Sequence, residues 1–145
     1  MSFILLLMRV FVGAIFIFSG WQKLIAPPEN FAAVIESYQI LKPSLAMLAA
    51  YFFPWLELIF GTFLTLGFLS RTSAFFLSIC STLFIVLLAR SLVLHLPITE
   101  CGCFGSGFVL TPRQALILDS GLLFVSLMLM WRRPTLASLD ERLHK

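Results

Sequence analysis

Charge is what this sequence has least of. Only 12% of its 145 residues are Asp, Glu, Lys or Arg, against 60% hydrophobic ones. At a mean hydropathy of +1.02 there is too little polar material to cover a soluble surface. The shortage excludes a soluble domain and leaves a polytopic membrane protein. No block of Lys and Arg and no basic amphipathic stretch is present either, so the formal charge of +3 does not point to nucleic acid as a partner. The modest basicity reads as membrane topology. Cysteine is scarce, three in all, and their positions leave one feasible pair. The apolar stretch Phe3 to Phe18 lacks a basic segment ahead of it, is interrupted by Arg9, and leads into Ser19-Gly20-Trp21, a poor cleavage site. It is therefore expected to stay in place as a first span.

Four stretches reach the roughly 20 helical residues that cross about 30 Å of hydrocarbon. They fall near 3–24, 44–69, 72–95 and 112–131. The expected fold class is an all-α membrane protein: an antiparallel four-helix transmembrane bundle with a short interfacial helix between the first two spans. Residues 1–133 would form this single domain and 134–145 a cytoplasmic tail. Trp21-Gln22-Lys23 closes the first span as an aromatic and a cation at interfacial depth, and Pro27-Pro28 stops it. Phe31, Val34, Ile35, Tyr38 and Leu41 then recur at helical spacing, predicting a helix on the membrane plane. It serves either as a plain connector or as a lid or docking face.

Pro54 predicts a kink in the second span beside Trp55 and Glu57. Gly61 and Gly67 offer sites of close helix contact, although a spacing of six is not a small-xxx-small motif. Ser70-Arg71 is read as the tight turn into the third span. Thr111, Pro112 and Gln114 have the pattern of a capping box with proline at the first helical position. With both termini cytoplasmic, Arg71, Arg132, Arg133, Arg142 and Lys145 lie inside, and Lys23, Lys42 and Arg113 lie at the outer margins. That orientation, in a bacterial inner membrane, puts the loop between the last two spans in the periplasm, where dithiols can be oxidised.

That loop carries the strongest chemical signal, Cys101-Gly102-Cys103. Two cysteines one residue apart bond only through a small strained ring, for which Gly102 supplies the backbone freedom. A strained, exposed disulfide exchanges readily. A purely structural disulfide is the second reading, but closing so short a loop removes little unfolded-state entropy. Metal ligation is the third; it needs further ligands, and His95 is the only obvious one nearby. Cys101 and Cys103 are the candidate catalytic residues. Cys80 lies roughly 20 Å from the loop end of its helix and reads as a small buried hydrophobe.

Arg9, Glu57, Arg90 and Asp119 fall within the expected spans, where charges are costly and pair or line a polar cavity. Arg90 and Asp119 sit at similar depth on helices joined by the cysteine loop, so they are expected to pair. The four charges sum to zero. Such a cluster either locks the bundle, or handles protons or holds a quinone head group beneath the dithiol.

Several motifs together resemble the MauE/DoxX superfamily of small four-helix membrane proteins, and more closely its methylamine-utilisation MauE-like branch. They are Arg9 with Ser19-Gly20-Trp21-Gln22-Lys23-Leu24, Phe31 with Tyr38, Pro54-Trp55-Leu56-Glu57 with Gly61 and Gly67, and Cys101-Gly102-Cys103-Phe104-Gly105. The resemblance implies a membrane-embedded thiol-disulfide redox protein that works with a periplasmic thioredoxin-like protein. The client it implies is disulfide-rich, such as the small subunit of methylamine dehydrogenase. If the chain is an enzyme, it would be a thiol-disulfide oxidoreductase, quinone-linked or partner-dependent. The alternative is a non-catalytic anchor or accessory subunit of a DoxX-like quinone-linked oxidoreductase. A quinone is the only cofactor expected. Membrane lipid surrounds the chain, and an oligomer or hetero-complex is compatible with its size. Quinone-linked four-helix proteins of the vitamin K epoxide reductase group use Cys-x-x-Cys plus a second pair. This chain departs from that pattern, and a complete relay would need a partner or direct exchange between the dithiol and a quinone.

Overall fold

Helix α1 (Ser2–Ile25) is an apolar run that ends just before the Pro27-Pro28 pair. The helices α2 (Pro28–Ser37) and α3 (Pro43–Leu66) each open on proline, whose missing N–H is unneeded at the first helical position. The computed structural model describes residues 2–97 and 110–131; the cysteine loop Thr99–Gly105 and the expected tail over 134–145 lie outside them. Helices α4 (Ser70–Val93) and α5 (Pro112–Trp131) complete the set. Among the described residues there is no strand, and α1, α3, α4 and α5 are each long and apolar enough to cross a membrane. The expected all-α architecture, with a short helix between the first two spans, is the one observed.

The turns explain the direction changes. Gly67 ends α3 in the left-handed region, φ 74°, and its N–H donates to the Leu64 carbonyl at 3.2 Å while Phe68 N–H donates to Phe63 at 2.9 Å. This is a Schellman stop. Gly67 is therefore a helix terminator, not the close-contact glycine expected from sequence, and the turn lies at Gly67–Leu69, ahead of Ser70-Arg71. His95 stops α4 in the same way, at φ 47°, with Leu96 N–H donating to Ser91 at 3.1 Å. The capping box at α5 is present: Thr111 N–H donates to Gln114 Oε1 at 3.2 Å and Gln114 N–H to Thr111 Oγ1 at 3.5 Å. Helix α3 runs unbroken through Pro54.

Two tightly packed helix pairs, α1 with α3 and α4 with α5, make up the bundle. The first pair is close because its contact surface is glycine. A Cβ added at Gly13 would lie 2.8 Å from the Gly61 carbonyl, and one at Gly20 would lie 2.7 Å from the Pro54 carbonyl and 3.0 Å from the Leu58 nitrogen. Small residues at such seams let helices approach where no hydrophobic force drives association. In the second pair, Arg71 Nε donates to the Met130 carbonyl at 3.2 Å, tying the start of α4 to the end of α5. Helix α2 packs mainly on α3 and buries Phe31, Ala32 and Ile35.

Burial follows interior stripes. In α1 the buried side chains are Leu5, Arg9, Val12, Phe16, Ser19 and Lys23, alternating by three and four as a bundle-facing stripe must, with Gly13 and Gly20 buried beside them. Two apolar clusters result. One, at the end near the cysteine loop, gathers Phe31, Tyr38, Phe84, Leu88 and Ala115. The other, toward the α3–α4 turn, gathers Val12, Phe16, Leu64, Leu77, Cys80 and Leu122. On α3 and α5 the residues that fall between the clusters include Glu57 and Asp119. Many large apolar side chains face outward, Ile117 at 75% and Phe124 at 69% exposure among them, as a lipid-facing surface requires.

The glycine seam generates a prediction. Gly20→Ala should lower stability by about 1–3 kcal/mol, because the new methyl meets backbone that cannot turn aside. Gly121→Ala, which would meet nothing within 4 Å, should leave stability unchanged. Thermal unfolding of the detergent-solubilised protein reads both; equal effects would contradict the assignment of the seam.

Candidate functional site

Between the two apolar clusters lies a buried polar centre, and its core residue is one that sequence reasoning placed elsewhere. Lys23 is only 2% exposed. Its Nζ donates to Glu57 Oε1 and Oε2, both at 2.8 Å, and to Ser19 Oγ at 3.0 Å. The Ser19 hydroxyl in turn donates to Glu57 Oε2 at 3.1 Å. An ammonium has three donors, and all three are used. The remaining sides of the cation face two rings, Phe84 with its centroid at 4.7 Å and Phe31 at 5.0 Å. Both are within the range of a cation–π contact.

The local geometry follows from helix direction. Gly13 opposite Gly61 and Gly20 opposite Pro54 set the register of α1 against α3. In that register Glu57 lies level with Ile17, roughly 9 Å along the axis from Lys23 at 1.5 Å per residue. Each Cα–Cβ bond leans toward its own helix N-terminus. Because the helices are antiparallel, Lys23 and Glu57 lean toward each other and close the gap. Ser19, one turn before Lys23, fills the space between.

Of the other expected members of the polar cluster, Arg90 stands apart. Arg9 and Asp119 are buried, at 3% and 6% exposure. Arg90 is exposed near the end of α4. The expected Arg90–Asp119 pair therefore finds no support: the two side chains occupy different environments. Arg90 stands where a long cationic side chain reaches the membrane boundary. Asp119 instead shares a small cavity with Glu57 and Ser19, which has about 10 Å³ of room for the centre of a water molecule. Cys80 is buried at 6% exposure within the apolar cluster toward the α3–α4 turn, as its reading as a small hydrophobe anticipates.

Lys23 was expected at the interface because it lies close to the end of its span. The signal that finds it is periodicity: it stands four turns beyond Arg9 and one beyond Ser19, on the same interior stripe.

A second cavity, of about 260 Å³ by the same measure, opens between α2, α3 and α4. Its walls are wholly apolar and include Phe31 and Phe84, the two rings that carry Lys23, with Phe53, Ile40, Leu83 and Val86. The α4 and α5 interiors also hold fully buried hydroxyls. Ser78 donates back to the Ala74 carbonyl of its own helix, at 2.7 Å. Ser73, Ser81 and Ser126 make no such bond, and their small size lets the helices approach.

Breaking the ion pair from one side leaves a charge in the bundle interior. Lys23→Met and Glu57→Leu should each cost about 3–5 kcal/mol, whereas the double variant should cost less than either alone. Denaturant unfolding of the four proteins in detergent measures this; additive losses would show that the two side chains do not act as a unit.

No curated protein and no solved structure matches the chain. One family does: the profile described as methylamine utilisation protein MauE matches residues 1–132, nearly the whole chain and all four spans. With a multi-pass helical fold and a match of this extent, the chain is a membrane protein of the MauE family.

Proposed function

We propose that this MauE-family protein carries out thiol-disulfide exchange through Cys101 and Cys103, on a periplasmic protein whose disulfides must be formed or matured. The observation that carries the reading is the Cys101-Gly102-Cys103 sequence in the connection between two spans, where a strained ring would be reactive. The chain leaves α4 at Val93 and enters α5 at Pro112, the end of the bundle at which α2 also lies. The family description, methylamine utilisation, supports a client in that process, such as a methylamine dehydrogenase subunit. The excess of Lys and Arg toward the opposite end supports cytoplasmic termini, a periplasmic cysteine loop and the bacterial inner membrane.

The chemistry is a two-electron exchange. A client thiolate attacks one sulfur of the Cys101–Cys103 disulfide, the S–S bond breaks, and the other cysteine leaves as thiolate. The client's second thiolate then attacks the mixed disulfide. The client is oxidised and the Cys101/Cys103 pair is left as a dithiol, to be reoxidised by the disulfide of a thioredoxin-like partner. A quinone head group does not fit the polar centre, where the room between Glu57 and Asp119 suits one water. The larger cavity presents no polar side chain to a ring carbonyl. No step is therefore routed through a quinone.

A second reading is favoured by one observation. The Lys23–Ser19–Glu57 set is buried and hydrogen-bonded within itself, which suits a rigid scaffold and hence a non-catalytic accessory subunit within a larger complex. Trapping separates the two. Cys101→Ser and Cys103→Ser proteins should differ, one of them accumulating a mixed disulfide with a periplasmic protein that a reductant releases. Absence of any such adduct from both variants, with the protein folded and in the membrane, would favour the accessory role.

A further inference from the structure

The larger cavity is a groove that opens on the lipid-facing side of the bundle: Ile40, Leu41, Leu83 and Val86 line it and are themselves exposed. Its volume of about 260 Å³ exceeds the roughly 150 Å³ apolar cavity that holds a benzene molecule. No polar side chain lines it, so what fills it is hydrocarbon. Its depth matches one leaflet. At 1.5 Å per residue, Ala49 and Phe53 lie roughly 9 and 15 Å from Pro43 at the start of α3, and Leu87 and Leu83 lie the same distances from Val93 at the end of α4. Half of a hydrocarbon core about 30 Å thick is about 15 Å. The groove therefore runs from near the membrane boundary to near the midplane, as an acyl chain does.

Two cations stand at the boundary end of this groove. Lys42 directly follows the lining residue Leu41, and Arg90 lies one turn beyond the lining residues Val86 and Leu87 on the same face of α4. Both are exposed, and among the described residues neither takes part in an ion pair. The two carboxylates of α2, Glu29 and Glu36, do not line the groove. We propose that one acyl chain of an anionic phospholipid lies in this groove, with its phosphate met by Lys42 and Arg90. The cations decide the class of lipid, since an uncharged isoprenoid tail would use the apolar walls and gain nothing from them. The site also touches the polar centre. Phe31 and Phe84 line the groove and carry the Lys23 ammonium, so a chain in the groove packs against the rings that hold the buried cation. This inference does not depend on the cysteine chemistry.

Native mass spectrometry of the delipidated full chain in detergent tests it, with phosphatidylglycerol and phosphatidylcholine of identical chains as the probes. The wild type should retain one phosphatidylglycerol in preference to phosphatidylcholine, by about fivefold for each cation and roughly 25-fold for the two. The double variant Lys42→Gln/Arg90→Gln, altered only at exposed positions, should bind the two lipids equally. Ala49→Trp, which fills the groove and keeps both cations, should lose the preferred lipid. Val86→Trp repeats that test from the exposed edge if Ala49→Trp does not fold. A wild type without preference, a preference that survives loss of both cations, or one untouched by filling the groove would overturn the proposal. So would displacement of the phosphatidylglycerol by an equimolar ubiquinone, which would give the groove to an isoprenoid tail.

Discussion

The buried bond between Lys23 and Glu57 is the constraint on which the rest of this structure depends. An isolated charge in a bilayer interior is costly, so each of these side chains commits the other to a fixed place. The commitment reaches beyond the pair. To bring Lys23 onto Glu57, α1 and α3 must be antiparallel, in one register and close, and the glycines at 13, 20 and 61 supply that closeness. Phe31 must lie over the ammonium, which seats α2 on the bundle, and Phe84 must lie on its other side, which brings in α4. Four of the five helices thus meet at one cation.

The fifth helix joins through Asp119. It faces the same centre from α5, across a space the size of one water. The architecture is therefore two close helix pairs with a polar layer between apolar clusters. The polar layer gives the bundle a specific arrangement that apolar packing against lipid-like neighbours would not. For a protein of the MauE family this rigidity has a use under the proposed exchange chemistry. The ends of α4 and α5, which carry the cysteine loop between them, are each stopped by their own cap, His95 on one side and the Thr111–Gln114 box on the other. These two caps fix the ends between which Cys101 and Cys103 lie in the sequence.

Much of the architecture was legible in the sequence, because apolar length and proline placement are strong signals in a membrane chain. Spans, connector and the α5 capping box follow from them. The polar centre was half legible. Glu57, Arg9 and Asp119 declare themselves as charges deep within apolar runs, but Lys23 sits near a helix end, where a cation ordinarily marks the interface. Only its place on the stripe shared with Arg9 and Ser19 reveals that it turns inward. The reverse error befell Arg90: depth alone suggested a partner for Asp119, whereas the direction of its side chain takes it outward. Gly67 was misread for a related reason, since a glycine at a helix end and one at a helix seam look alike until the backbone angle is known. The cysteine loop Thr99–Gly105 and the tail lie outside the described residues, so the expectations for Cys101 and Cys103 rest on sequence and on the family.

If the Lys23–Glu57 bond organises the bundle, then removing the cation must release the helix that rests on it. Hydrogen–deuterium exchange of Lys23→Met in lipid nanodiscs measures this directly. The amides of α2 from Phe31 to Ser37 should lose protection relative to the wild type while those of the α4–α5 pair keep theirs. An α2 that stays as protected as in the wild type would contradict it, and would place the organising contact elsewhere in the bundle.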